Sequence, residues 1–147
     1  LAAAEPAVRS SAAATLQRLV WLHAANAAEL ALHTPGAVGG LAALLRDKDS
    51  TKAREHAAAA LGNVCCRDEG IKAAVGRQAG VLTGLVQLLQ DKHAPVRAQA
   101  AAALKSLASH SVENQTRIGS IVGALKGLQV GRPCFGQLPC LAGKAMV

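Results

Sequence analysis

One tryptophan, one phenylalanine and no tyrosine serve a chain of 147 residues. So few aromatic rings cannot anchor a conventional globular core, so alanine and leucine must fill it. They also leave no platforms for stacked bases, which argues against the nucleic-acid modules that work in that way. Apolar runs of the ~20 residues that a membrane helix needs are missing, so no membrane insertion is expected. The start, LAAAEPAVRS, lacks a basic stretch ahead of an apolar one, so it does not read as a signal peptide; Leu1 in place of an initiator methionine reads as a fragment or a processed chain. No CxxC pair occurs: Cys65 and Cys66 are adjacent, and Cys134 and Cys140 stand six apart, neither of which is zinc-site spacing. Reduced thiols in a cytoplasmic or nuclear protein are the expectation. Acidic residues stop at Glu113, while Arg117, Lys126, Arg132 and Lys144 follow it. The formal charge of +7 therefore owes much to the end of the chain, and it favours an acidic partner.

Catalytic and ligand-binding templates are missing too. His23, His33, His56, His93 and His110 are scattered, with no carboxylate pair or Cys/His set of metal or acid–base spacing. Ser10 and Ser11 have no evident base, and no G-x-x-x-x-G-K-[ST] phosphate loop occurs. No catalytic residue, cofactor, metal or small-molecule substrate is assigned, and the chain does not read as an enzyme.

What remains is abundant: apolar residues make up 51% of the chain, mostly alanine and leucine in helical rhythm. The stretch GVLTGLVQLLQDKHAPVRAQAAAALKSL, from Gly80 to Leu107, joins a leucine helix to an alanine helix through a polar turn. It echoes GAVGGLAALLRDKDSTKAREHAAAALGNV, from Gly36 to Val64. Three sets of landmarks share one period near 44: Gly36, Gly80 and Gly123; Leu16, Leu61 and Leu104; Leu30, Val75 and Ile118. A helical period of that size predicts an α-solenoid, in which each unit buries its apolar face on its neighbours.

The elements follow. Helices are expected over most of 6–22, over Ala24–Leu32, over 37–46 with Leu41, Leu44 and Leu45 on one face, and over 51–66 with a buried stripe of Ala57, Ala60, Leu61 and Val64. Asp68 or Glu69 opens the next, whose apolar positions are Ile71, Ala74 and Val75. The set then repeats over 81–90, from Pro95 to about Ser109, and from Glu113 to Ile118. Gly123 should break the chain as Gly36 and Gly80 do. After Val130, Gly131 and Arg132 stand where two leucines are due. The domain is thus read as 1–130, with a partial repeat 6–35, full repeats 36–79 and 80–122, and the start of another at 123–130; residues 131–147 form an irregular basic tail.

The pattern G-[AV]-[VL]-x-G-L-x-x-L-L, a polar turn and an alanine helix ending ALGNV at Ala60–Val64 resembles an armadillo repeat. PAVR at Pro6–Arg9 and DKHAPVRAQAAAAL at Asp91–Leu104 resemble the turn of the related HEAT repeat, where an Asp and an Arg brace the interhelical loop. The resemblance implies an all-α, right-handed α–α superhelix and a protein-interaction scaffold. It implies that the long helix of each unit lines a groove for an extended peptide, held by an Asn ladder whose amide gives a peptide group both donor and acceptor. The matching positions are Arg18, Asn63 and Ser106; only Asn63 keeps the family's residue. Ala14, Ala59 and Ala102 stand where nuclear-import receptors place tryptophan, and Trp21, off that register, reads as packing. The groove set is therefore Arg18, His56, Asn63, Arg67, Gln99, Ser106 and His110, facing a protein or peptide partner of acidic character. Alternative readings are a nuclear-transport adapter resembling importin-alpha, or the armadillo module of a larger ubiquitin ligase or of a ciliary or adhesion protein. The incomplete final repeat should leave an apolar end surface open to self-association.

Overall fold

A computed structural model describes residues 5–21, 23–34, 36–65 and 68–128. These residues form helices α1 (Pro6–Val20), α2 (Ala24–Ala28, continuing as a π-helical turn, Glu29–His33), α3 (Ala37–Leu44), α4 (Thr51–Val64), α5 (Glu69–Arg77), α6 (Val81–Leu88), α7 (Ala94–Ala108) and α8 (Val112–Leu128). The expected basic tail at 131–147 lies outside the described residues.

The punctuation is physical. Pro6 sits in the first turn of α1, where its missing N–H is no loss. Ser50 and Asp68 cap α4 and α5 by accepting from the N–H groups of Ala53 (3.1 Å) and Ile71 (2.8 Å). Gly36 and Gly80 precede α3 and α6 with φ of +78° and +86°, a conformation that a side chain disfavours.

The long helices stack in the order α1, α4, α7, and the shorter ones pack along them. The core is a ladder of period-mates: Leu41, Leu44 and Leu45 from α3 and its C-terminal edge, Leu82, Leu85 and Leu88 from α6, and Ala57, Ala60, Leu61 and Val64 from α4, all buried. Fully burying a leucine contributes about 2 kcal/mol. Alanine lets the long helices come close. A Cβ added to Gly62 of α4 would lie 3.2 Å from Ala103 Cα of α7.

Two polar devices tie neighbouring units. In the first, Arg9 Nε donates to Asp47 Oδ2 at 2.6 Å, and Arg54 Nε donates to Asp91 Oδ2 at 2.9 Å. Each arginine reaches the carboxylate of the following turn, and Arg54 also donates to the carbonyl of Asp47 in its own turn at 2.6 Å. The Arg9 guanidinium holds the Asp47 carboxyl below the usual carboxylate range against the opposing effect of burial, helped by the N–H groups of Asp49 and Ser50. Burial pushes Asp91 up, but the backbone N–H and ring of His93, together with Arg54, bring it below the usual range.

The second device closes the C-terminus of α7. The buried Asn114 donates from Nδ2 to the carbonyls of Leu107 (3.0 Å) and Lys72 (2.9 Å). Buried Lys72 donates from Nζ to Ser109 O at 2.9 Å, and Gln115 donates to Ala108 O. Carbonyls that a helix end leaves unsatisfied thus find donors, and a cation sits at the negative end of the dipole. Gly76 makes the room, since a Cβ there would lie 2.0 Å from Asn114 Oδ1.

The expected break at Gly123 does not occur: α8 runs through it from Val112 to Leu128. At Gly36 and Gly80 the turn is repaid by leucines that fold back onto the stack. Beyond Gly123, Leu125 and Leu128 keep the first two leucine places, but Gly131 and Arg132 take the next pair, so less apolar surface rewards a turn. Trp21 also departs from expectation. It is 56% exposed, placed by the C-terminal edge of α1 outside the buried stripe.

Candidate functional site

The strip expected along the long helices is built from residues four and three apart, which share a helix face. On α1 it shows Ser11 and Arg18, both exposed. On α4 it shows His56 and Asn63, both half-buried, and on α7 Gln99 and Ser106, also half-buried. His110 follows α7 with φ of +59°, an exposed residue in the left-handed region at the helix end. Arg67 lies outside the described residues.

Gln17 of α1, which the sequence did not single out, organises the α1–α4 half of this strip. Its Oε1 lies 2.8 Å from His56 Nδ1. Its carbonyl lies 3.5 Å from Asn63 Nδ2, the outer limit of a hydrogen bond. The position of Gln17 in the repeat is taken on α4 by Gly62. There the backbone of α7 comes close and no side chain reaches across, so Gln99 and Ser106 have no hydrogen-bond partner among the described residues. One strip therefore has two characters: a self-paired half on α1 and α4, and an unpaired amide and hydroxyl on α7.

A cavity of about 410 Å³ opens beside Asn63. Its floor is apolar (Val20, Ala27, Val64, Ile71), and its rim carries Trp21, Asn63 and Asp68. The repeat also changes at this place. Asn26 donates to Leu19 O at 2.7 Å, as Asn114 does to Leu107 O. The residue at this position in the unit between them is Ile71, which has no donor to offer the end of α4. Its register made this place findable from sequence, but only after Asn26 and Asn114 were known to bridge.

Among the described residues, no group of three or more His, Cys, Asp or Glu side chains could hold a metal ion, and no helix is long and apolar enough to cross a membrane. What the strip offers chemically is hydrogen bonding and modest positive charge.

Comparisons with known proteins agree with this architecture. A HEAT-like repeat family matches residues 51–107, the stretch from α4 to α7. Among solved structures, the chain resembles a designed armadillo repeat protein, YIII(Dq)4CqI, at a TM-score of 0.70 and 26% identity. The match covers 81% of this chain and 48% of that one, so this chain spans about half the length of the designed protein. The comparison with curated proteins gave no match. The fold is an all-helical repeat solenoid similar to armadillo and HEAT-like repeat proteins, a kind that typically serves as a non-enzymatic scaffold for protein interaction.

Proposed function

We propose that this protein is an interaction scaffold whose long helices α1, α4 and α7 hold an extended, acidic segment of a partner protein. The observation that carries this reading is the unpaired polar end of the strip. Gln99 and Ser106 on α7 are half-buried polar groups without hydrogen-bond partners among the described residues, aligned with Asn63 on α4. A peptide backbone supplies the donors and acceptors that such groups lack. Arg18, exposed at one end of the strip, and the charge of +7 favour carboxylates on the bound segment. Ala14, Ala59 and Ala102 offer no stacking surface for lysine stems, which disfavours basic import signals as ligands.

The test starts from a random-peptide display library selected on the intact protein. Selected peptides should be rich in Asp and Glu, and should perturb backbone amide resonances of residues 56–63 and 99–106. The paired change Asn63→Ala and Arg18→Ala should weaken them about tenfold, the scale of one or two charge-assisted hydrogen bonds. Selected peptides that bind the double variant equally well would remove the strip from consideration.

A further inference from the structure

A cavity of about 350 Å³ lies at the junction of two consecutive units, between the α5–α6 turn and α8. Arg77, Gly80, Thr83, Thr116, Arg117 and Ser120 are among the residues that line it. At its edge the Arg46 guanidinium, from the α3–α4 turn, lies 3.7 Å from the point where a Cβ on Gly80 would stand. Three arginines from three different elements thus gather around one turn.

Their hydrogen bonds leave a definite remainder. Arg77 and Glu113 form a two-point pair: Nε donates to Oε1 at 3.0 Å and Nη2 to Oε2 at 2.8 Å. Arg77 holds the Glu113 carboxyl below the usual carboxylate range, and the charge of Arg117 adds to the effect. Arg117 gives Nη1 to Gly76 O at 2.9 Å, which leaves the rest of its fork to other acceptors. Arg46 meets no carboxylate among the described residues. Thr116 and Ser120 spend their hydroxyl protons on Val112 O and Thr116 O, so the half-buried Thr83 supplies the hydroxyl donor. One acid balances one arginine, and two arginines remain.

The stacking of the helices does not ask for this set. In repeat register Arg117 answers to Ala74, Thr116 to Ala73 and Thr83 to Gly39. At the preceding junction the Gln78 amide closes on Gly39, 3.4 Å from where a Cβ would stand. Here the corresponding pair is Ile121 and Thr83. The chain therefore builds this junction once with an amide across it and once with a cavity bordered by cations.

We propose that this cavity binds a phosphoryl group, held by Arg46, Arg117 and the Thr83 hydroxyl. Charge complementarity sets the chemistry. A phosphate monoester brings close to two negative charges and several strong acceptor oxygens, which answer two unmatched guanidiniums and a hydroxyl set on different elements. A carboxylate, planar and singly charged, is what Arg77 already holds. The same chemistry is offered by a phosphorylated side chain of a partner protein and by free phosphate. This site is separate from the strip on α1, α4 and α7, and either stands without the other.

The experiment titrates the intact protein at low, matched ionic strength with two probes: inorganic phosphate, and phosphoserine blocked at both ends as its N-acetyl N-methylamide. Backbone amide resonances of Gly80, Thr83 and Arg117 report binding, and unchanged circular dichroism of each variant is the control for folding. The expected result is saturable shifts at these amides with at least one probe. Affinity should fall about tenfold in Arg117→Gln and in Arg46→Gln, the scale of one charge-assisted contact. It should rise severalfold in Glu113→Gln, which releases Arg77. Arg97→Gln removes the same charge outside the cavity and should change affinity little. Tighter binding of the phosphoserine probe supports the site with a modified side chain as its ligand; tighter binding of inorganic phosphate supports it with the free ion. Shifts that do not saturate overturn the proposal, and so does unchanged binding in both Arg46→Gln and Arg117→Gln. An equal loss in Arg97→Gln and Arg117→Gln also overturns it, in favour of general attraction to a basic protein.

Discussion

The contact between Gly76 and Asn114 gives the most direct test of how α7 is closed. Gly76→Ala would ordinarily help, since alanine in place of glycine inside a helix gains up to about 1 kcal/mol. Here the added methyl would sit 2.0 Å from Asn114 Oδ1 and 2.8 Å from its Nδ2. The amide is fully buried and has nowhere to retreat without giving up Leu107 O and Lys72 O. Two net hydrogen bonds of about 1 kcal/mol each, plus the penalty of a buried amide left unpaired, come to roughly 3–4 kcal/mol. Subtracting the helix gain leaves a loss of about 2–3 kcal/mol. In an Asn114→Ala background the obstacle is gone, so Gly76→Ala should become neutral or stabilising by up to about 1 kcal/mol. The double-mutant cycle should therefore return a coupling of about 3 kcal/mol. Urea unfolding followed by circular dichroism reads this directly. With an m-value near 2 kcal/mol/M, Gly76→Ala alone should lower the midpoint by about 1 M. Equal shifts in both backgrounds, or a raised midpoint for Gly76→Ala in the otherwise unchanged protein, would refute the assignment of Gly76 as the space that admits Asn114.

Three further outcomes are expected. Asp47 and Asp91 both have carboxyls held below their ordinary range, so the stability they contribute is complete above about pH 4 and is lost as pH falls through their depressed values. Melting temperature against pH should drop on the acid side, and Asp47→Asn with Asp91→Asn should flatten that drop; an unchanged acid limb would exclude these pairs as its source. Gly80→Ala should destabilise by about 1 kcal/mol because of its φ of +86°, whereas Gly123→Ala, inside α8 with nothing within 4 Å of an added Cβ, should stabilise by a similar amount. Opposite signs in urea unfolding support the continuous α8, and matching signs would contradict it. Leu19 and Leu107 are period-mates, 51% and 0% exposed; Leu107→Ala should cost about 2–5 kcal/mol and Leu19→Ala less than about 1, and comparable losses would mean that α1 is covered in solution.

The period near 44 was legible because the core speaks in bulk: leucines and alanines at helical spacing must be buried somewhere, and the repeat says against what. Ala57, Ala60, Leu61 and Val64 are buried, as their stripe predicts. The end of the array was harder to read. Gly123 has the same identity as Gly36 and Gly80, yet a glycine turns the chain only where the residues beyond it gain by turning. The polar closure of α7 was also hidden, since nothing in ENQTRI says that its asparagine reaches back to Leu107 and across to Lys72. The strip was legible as a face, but its pairing was not. His56 and Asn63 meet Gln17 because α1 lies beside α4 at a height that only the packed helices set.

The exchange of Gln17 for Gly62 also bears on how the stack bends. Between α4 and α7 a backbone lies almost directly on a methyl group, a stiff contact with little room to slide. Between α1 and α4 the same height is spanned by the Gln17–His56 side-chain pair at 2.8 Å and by the Asn63 side chain, 3.5 Å from the Gln17 carbonyl. Such a joint can lengthen or tilt at small cost. Elastic deformation should therefore gather between the first and second long helices, making α1 a compliant arm on a rigid α4–α7 base.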